Sequence, residues 1–157
     1  MASKEEQQQS NKIGVNQGKK VKLDGYVFDS QQEASFYRQF IRGKCQQVSV
    51  HHPIRIIEPY QLGGTDCKGH DYKPDFVVID QSGRGHLIDV KNSFTSYGVK
   101  ADARLRFALI QSAQNQPVEV VIPRKGWFWL KIMDTKKKFE PIKMTNLDYD
   151  IHDYIGQ

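Results

Sequence analysis

The sequence predicts an α/β domain with a central mixed β-sheet flanked by helices, and three observations predict it. Two stretches with helical spacing of apolar residues, near 30–42 and 100–114, alternate with five short β-branched runs, which gives the order α, β, β, β, α, β, β. A tight polar turn, Gln81-Ser82-Gly83-Arg84, joins two of those runs as a hairpin. The chain has 157 residues, 38% hydrophobic and 11% aromatic, so it can bury one real core without disulfides or structural metal. That length excludes two or more independent enzyme domains. The expected organisation is a basic arm over 1–20, a folded domain over 21–133 and an extension over 134–157.

The arm contains Gln7-Gln8-Gln9, Lys12, Lys19 and Lys20 and almost no large apolar residue, too little to offset the entropy of ordering. The first helix is expected over Ser30–Arg42, where Ala34, Phe36, Tyr37, Phe40 and Ile41 recur until Gly43 stops the pattern. Ile54-Arg55-Ile56-Ile57, bounded by Pro53 and Pro59, reads as a strand, followed by a polar loop with Gly63-Gly64 and Gly69. Tyr72–Asp80 and Gly85–Lys91 form the hairpin. The second helix is expected over Lys100–Gln114, with Ala101, Leu105, Ala108, Leu109 and Ser112 as its apolar stripe. Pro117 ends that region, and Val118–Ile122 and Trp127–Met133 are strands.

Several function classes fall away on composition. Apolar runs such as Phe76-Val77-Val78-Ile79 are far below the ~18 residues of a membrane span. Residues 1–10 are polar where a signal peptide is apolar, so the expected location is the cytoplasm, with no membrane partner. Two cysteines, Cys45 and Cys67, are too few for a disulfide framework. A formal charge of +5 favours a polyanionic partner.

The hairpin carries the chemistry. Pro74-Asp75 opens one strand and Asp89-Val90-Lys91 closes the next. With the turn centred on Ser82, partners have numbers summing to about 164, which sets Asp75 opposite Asp89, and strand alternation puts Lys91 on the same face. Like charges so placed repel, so the fold needs a cation between them or a raised pKa on one. Oxygen ligands suit a hard ion, Mg²⁺ or Mn²⁺. Such a site could polarise a phosphodiester and stabilise charge in the transition state, with Lys91 orienting water or neutralising a phosphate oxygen. The plain alternative is solvated strand-edge acids and a salt bridge. Glu33 shares a helical stripe with Phe36, Tyr37 and Phe40 and so faces inward as a third acid. Its alternative is a capping box, Ser30-x-x-Glu33, in which the carboxylate accepts from the Ser30 N–H.

At these residues the sequence resembles the PD-(D/E)xK nuclease superfamily. The wider string Leu23-Asp24-Gly25-Tyr26-Val27-Phe28-Asp29-Ser30, then Glu33 and Tyr37, Tyr72-Lys73-Pro74-Asp75-Phe76 and Asp89-Val90-Lys91, is similar to small phage-encoded nucleases related to phage endonuclease I and Holliday junction resolvases. The resemblance covers about Lys22–Met133. It implies a restriction-endonuclease-like αβββαβ core and a Mg²⁺-dependent phosphodiesterase centre. In that centre Asp75, Asp89 and Glu33 are metal ligands and Lys91 is the catalytic lysine. If the protein is phage-encoded, its compartment is the host cytoplasm. Asn92 follows Lys91 where many relatives have glycine.

The expected function is therefore a Mg²⁺-dependent DNA endonuclease resolving Holliday junctions or other branched DNA. A four-way junction is cut on two strands and one domain carries one centre, so a homodimer is expected. The rival readings are a nicking or restriction-like enzyme on duplex DNA and an inactive DNA-binding protein with the nuclease fold. Lys73, Thr95, Lys100 and Arg104 are candidates to hold the DNA backbone, with Ser96 beside them, while for Arg106 that role and a solvated helix face stand equal. His51, His52, Cys67, His70 and His86 lack structural zinc spacing; Cys67-x-x-His70 is only a weak match. Trp127 and Trp129 could stack on unpaired bases or simply fill a core.

Overall fold

The computed structural model describes residues 19–95 and 97–157; most of the expected arm, residues 1–18, and Ser96 lie outside the described residues. A short hairpin comes first, β1 (Val21–Leu23) with β2 (Tyr26–Phe28), turned by Asp24-Gly25, both with positive φ. The first helix fills its expected span in two geometries: α1 (Gln31–Phe36) runs into a π-helical turn, Tyr37–Ile41. Ser30, extended at φ −151°, starts it by accepting from the Glu33 N–H at 3.1 Å, a cap worth about 1 kcal/mol.

The main sheet has six strands in the order β12-β11-β10-β9-β8-β3. Its members are β3 (Gln47–Val50), β8 (Phe76–Ile79), β9 (Gly85–Val90), β10 (Val118–Pro123), β11 (Phe128–Ile132) and β12 (Ile142–Met144). Pairs β3/β8, β8/β9, β10/β11 and β11/β12 are antiparallel, whereas β9 and β10 run parallel. A parallel neighbour needs a crossover, and α2 (Ala101–Gln114) supplies it, ending at Asn115 in the left-handed region. The architecture is thus mixed α/β. Counted through the main sheet, the order is α1, β3, β8, β9, α2, β10.

One core lies on each face. On the α1 side Phe28, Phe36, Phe40, Phe76, Phe128 and Ile88 pack together, with Phe40 and Phe128 rings 4.9 Å apart and edge-on. On the α2 side Leu87, Val118 and Val120 meet Val99, Ala103, Phe107 and Ile110. Even-numbered β9 residues therefore face α1, and Leu87, Asp89 and Lys91 face α2.

Three expectations need correction. The strand that opens the meander is β3, not Ile54–Ile57. That segment, β4, pairs instead with β7 (His70–Tyr72) in a two-stranded ribbon that continues into β5 (Tyr60–Leu62) and β6 (Thr65–Cys67). Pro53 and Pro59, which donate no hydrogen bond, isolate β4, while Val48 and Val50 pack against the α1-side core. The expected strand over Tyr72–Asp80 breaks at Lys73-Pro74-Asp75, for the same reason. The α2 stripe is Ala103, Phe107 and Ile110; Leu105 is 62% exposed. That alternative 4-and-3 spacing carries the bulkier side chains, and bulk decides which face is buried. The extension after residue 133 adds β12 and a short helix, α3 (His152–Ile155). Among the described residues no helix is long and apolar enough to cross a membrane.

Candidate active site

The hairpin register matches the expected sum: Phe76 pairs with Ile88, Val77 with Leu87 and Val78 with His86. Gly83, at φ 85°, makes the tight turn, and its N–H donates to the Asp80 carbonyl at 3.0 Å. Asp75 and Asp89 accordingly stand just beyond the last ladder pair, at the open end. Asp75, Asp89, Lys91 and Lys73 line one cleft of about 310 Å³, together with Tyr72 and, from α2, Ala103, Arg106 and Phe107. Asp75 Oδ2 accepts from the Val90 N–H at 2.8 Å. Lys91 Nζ is 4.0 Å from Asp89 Oδ1, and the Tyr72 hydroxyl donates to Asp89 Oδ2.

Glu33 reaches this end from α1 through an intermediary. His51 follows β3, where the Val50–Phe76 pair continues to His51 and Asp75; the His51 N–H donates to the Asp75 carbonyl at 3.2 Å. Its Nε2 lies 3.2 Å from Glu33 Oε2, 3.6 Å from Asp29 Oδ2 and 3.8 Å from Asp75 Oδ1. Ligand atoms of Asp29, Glu33 and His51 all fall within 4.8 Å of one another. The capping box closes one residue early: the Glu33 carboxylate accepts from the Asp29 N–H at 3.2 Å. Glu33 therefore caps its helix and meets the cleft only through His51: among the described residues its ligand atoms group with Asp29 and His51, not with the expected Asp75 and Asp89.

The electrostatics are those of acids crowded without enough donors. Burial, then the Glu33 charge, pushes the Asp75 carboxyl up to about 7, against the Val90 N–H and Lys91, which lower it. Burial pushes Asp89 up to about 6, with Lys91, Arg106 and His51 pulling the other way. Glu33 is raised too, first by burial. Oxygen donors that hold protons near neutrality are a fit for a hard divalent ion, which would replace those protons with a fixed charge.

The remaining expected DNA-backbone residues divide. Lys73 is in the cleft. Thr95 instead hydrogen-bonds Ser93 at 2.9 Å, Lys100 is the exposed residue capping α2, and Arg104 is exposed outside the cleft lining. Arg106, for which a DNA-backbone role and a solvated helix face were equally open, lines the cleft one turn from Ala103; it also pairs with Asp102 at 2.8 Å. His51, Asp29 and Tyr72 were not foreseen. The signal for His51 was there: Val48 and Val50 alternate, and the next residue of that strand must flank Asp75.

No curated protein and no solved structure matches the chain. A family model described as "Protein of unknown function (DUF1064)" matches residues 15–112, a span that contains Glu33, His51, Asp75, Asp89, Lys91 and Arg106. The chain belongs to the DUF1064 family.

Proposed function

We propose that this protein is a Mg²⁺- or Mn²⁺-dependent endodeoxyribonuclease of the PD-(D/E)xK kind that hydrolyses phosphodiester bonds in branched DNA, acting as a homodimer. The observation that carries the reading is the meeting, at one end of the sheet, of Asp75, Asp89 and Lys91 in one cleft with Glu33 held beside Asp75 through His51. The order α1, β3, β8, β9, α2, β10 supports it as an αβββαβ core of the restriction-endonuclease type.

Asp75 and Asp89 would hold the ion, with Glu33 acting from beside them through the group it forms with Asp29 and His51; the ion's chemistry would be to polarise the scissile phosphate and to make water a stronger nucleophile. Lys91, 4.0 Å from Asp89, places a point charge where it orients that water or neutralises a phosphate oxygen. Tyr72 fixes the Asp89 rotamer through its hydroxyl. His51 Nε2, 3.2 Å from Glu33 Oε2 and 3.8 Å from Asp75 Oδ1, keeps the acids at fixed separations. Lys73 and Arg106, on the cleft lining, suit the flanking phosphates.

The test is Mg²⁺- and Mn²⁺-dependent cleavage of a four-way junction, matched linear duplex and single-stranded DNA by the wild type, Asp89→Asn and Lys91→Ala. The expected result is junction cleavage that falls by at least about a hundredfold in both variants. Cleavage unchanged in Asp89→Asn, or binding with no cleavage under either ion, defeats the reading. Sedimentation at working concentration tests the dimer.

A further inference from the structure

The sheet face that carries Asp89 and Lys91 continues away from the cleft as a strip of aromatic rings and lysines. Asp89 is in register with Val120 on β10, which is in register with Lys131 on β11. One step along, Lys91 donates its backbone N–H to Val121 and extends the register to Ile122, which pairs with Trp129, which pairs with Lys143 on β12. Paired residues point to one face, so Lys91, Trp129 and Lys143 lie in a single row, with Trp129 roughly 10 Å and Lys143 roughly 14 Å from the catalytic strand.

The chemistry of that row is uniform. Trp127 and Trp129 meet edge-on at 5.0 Å, and the Lys143 ammonium sits 4.6 Å over the Trp127 ring. Lys131 lies 5.8 Å over Phe94, which the loop after Lys91 carries to this face. Arg124 and Lys125, exposed in the β10–β11 turn, line a cleft with Gln31 and Ser35 of α1 and Gln39 of the π-helical turn and so lie outside this strip. Among the described residues Lys131 and Lys143 make no ion pair. A core-filling pair of tryptophans needs no row of unpaired cations beside it. A polyanion alone would need no indoles.

We propose that this strip is a binding track for an unpaired nucleic acid strand, bases against Trp127 and Trp129 and phosphates along Lys143 and Lys131. Charge complementarity and the stacking surface together select a nucleic acid strand over an acidic peptide or duplex, since every base offers a ring face only when unpaired. Resting on the nuclease reading, the track deepens it: the substrate is DNA with a single-stranded arm or opened junction, the unpaired strand lying over β11 while the scissile phosphate lies at Lys91.

The two tryptophans are the only ones in the chain, so its indole emission reports on this strip alone. Titrate the full-length protein with a short oligo-dT in EDTA, where no cleavage occurs, beside blunt duplex and heparin of matched charge. Oligo-dT is expected to quench the emission and bind more tightly than either control. Trp129→Ala should weaken it by about tenfold while Trp129→Phe largely retains it. Lys143→Glu, a change at an exposed position, should weaken binding and lower the salt slope, by about 0.7 for each phosphate no longer neutralised. Unchanged emission with oligo-dT, equal quenching by duplex or heparin, or a Lys143→Glu variant that binds like wild type overturns the track. Cleavage without quenching removes the track and leaves the active site standing; quenching without cleavage under Mg²⁺ or Mn²⁺ removes the active site and leaves the track.

Discussion

The β8–β9 hairpin has a polar cluster at each end, and the two are built on opposite terms. At the turn end Asp80 accepts from the backbone of Ser82 and Arg84 at 2.8 and 3.0 Å, from Arg84 Nε at 2.9 Å and from His86 Nε2 at 2.9 Å. Burial would raise its pKa, but the bonds from His86 and Arg84 outweigh that and bring it to about 2. His86 Nδ1 lies 2.8 Å from Glu119, which also accepts from the Tyr149 hydroxyl. At the open end Asp75 has one backbone donor and Asp89 one hydroxyl, and their carboxyls rise to about 7 and about 6. Hydrogen bonding, rich at Asp80 and sparse at Asp75 and Asp89, separates a structural acid from one reserved for a ligand, although Asp75 is less buried than Asp80.

The same substitution should have opposite signs at the two ends, which is the strongest way to break this contrast. Asp80→Asn strips a buried charge from His86 and Arg84 and is expected to destabilise by about 3 kcal/mol. Asp75→Asn removes a carboxylate that resists ionising and still accepts from Val90. At pH 8 in EDTA it should stabilise by about 1 kcal/mol, and with Mg²⁺ present it should abolish cleavage. Chemical denaturation of both variants decides the matter; destabilisation of equal size at the two sites would erase the distinction.

Proton linkage sharpens it next. Asp75 and Asp89 bind protons more tightly folded than unfolded, so stability in EDTA should fall as pH rises from about 4 to about 7. Asp80 works the other way, contributing stability above about pH 4 that is lost as pH drops toward 2. Mg²⁺ should therefore raise the melting temperature more at pH 8 than at pH 5. His86, whose pKa is also raised, adds to the alkaline loss, so the part due to the site is what disappears in Asp75→Asn. An ion-independent melting curve at pH 8 contradicts the assignment.

Two smaller effects follow. Ser30→Ala should cost about 1 kcal/mol by freeing the Glu33 N–H, and should lower cleavage through Glu33 more than through folding. Tyr72→Phe takes a donor from Asp89 and should move the acidic limb of the pH–rate profile upward by less than about one unit. An unmoved limb would mean Asp89 does not set it.

The parts of this arrangement that are local in the chain were legible, and those that depend on distant packing were not. The 76–88 and 78–86 pairs follow from a short glycine turn, which fixes register wherever one face is buried. The expected dimer and DNA substrate come from chemistry and resemblance alone, whereas β3 was invisible because Gln47–Val50 offers just two alternating valines. Missing β3 meant missing His51, hence the bridge from Glu33 to Asp75. On α2 two stripes satisfied the same period, and only the bulk of Phe107 and Ile110 against β10 selects between them, so Arg104 was preferred to Arg106. The insertion 54–72 places Tyr72 on Asp89, a meeting of ribbon and sheet that no periodicity encodes.

The single parallel pair, β9 with β10, has a consequence for the order of assembly. A hairpin with a five-residue turn closes in microseconds, but β10 cannot dock until α2 has formed and crossed the sheet. Asp75 and Asp89 then come together early, where a divalent ion would bridge a half-built chain. Divalent ions should therefore quicken refolding in stopped-flow as well as slow unfolding. An acceleration that vanishes in Asp75→Asn would identify the hairpin acids as part of the folding nucleus.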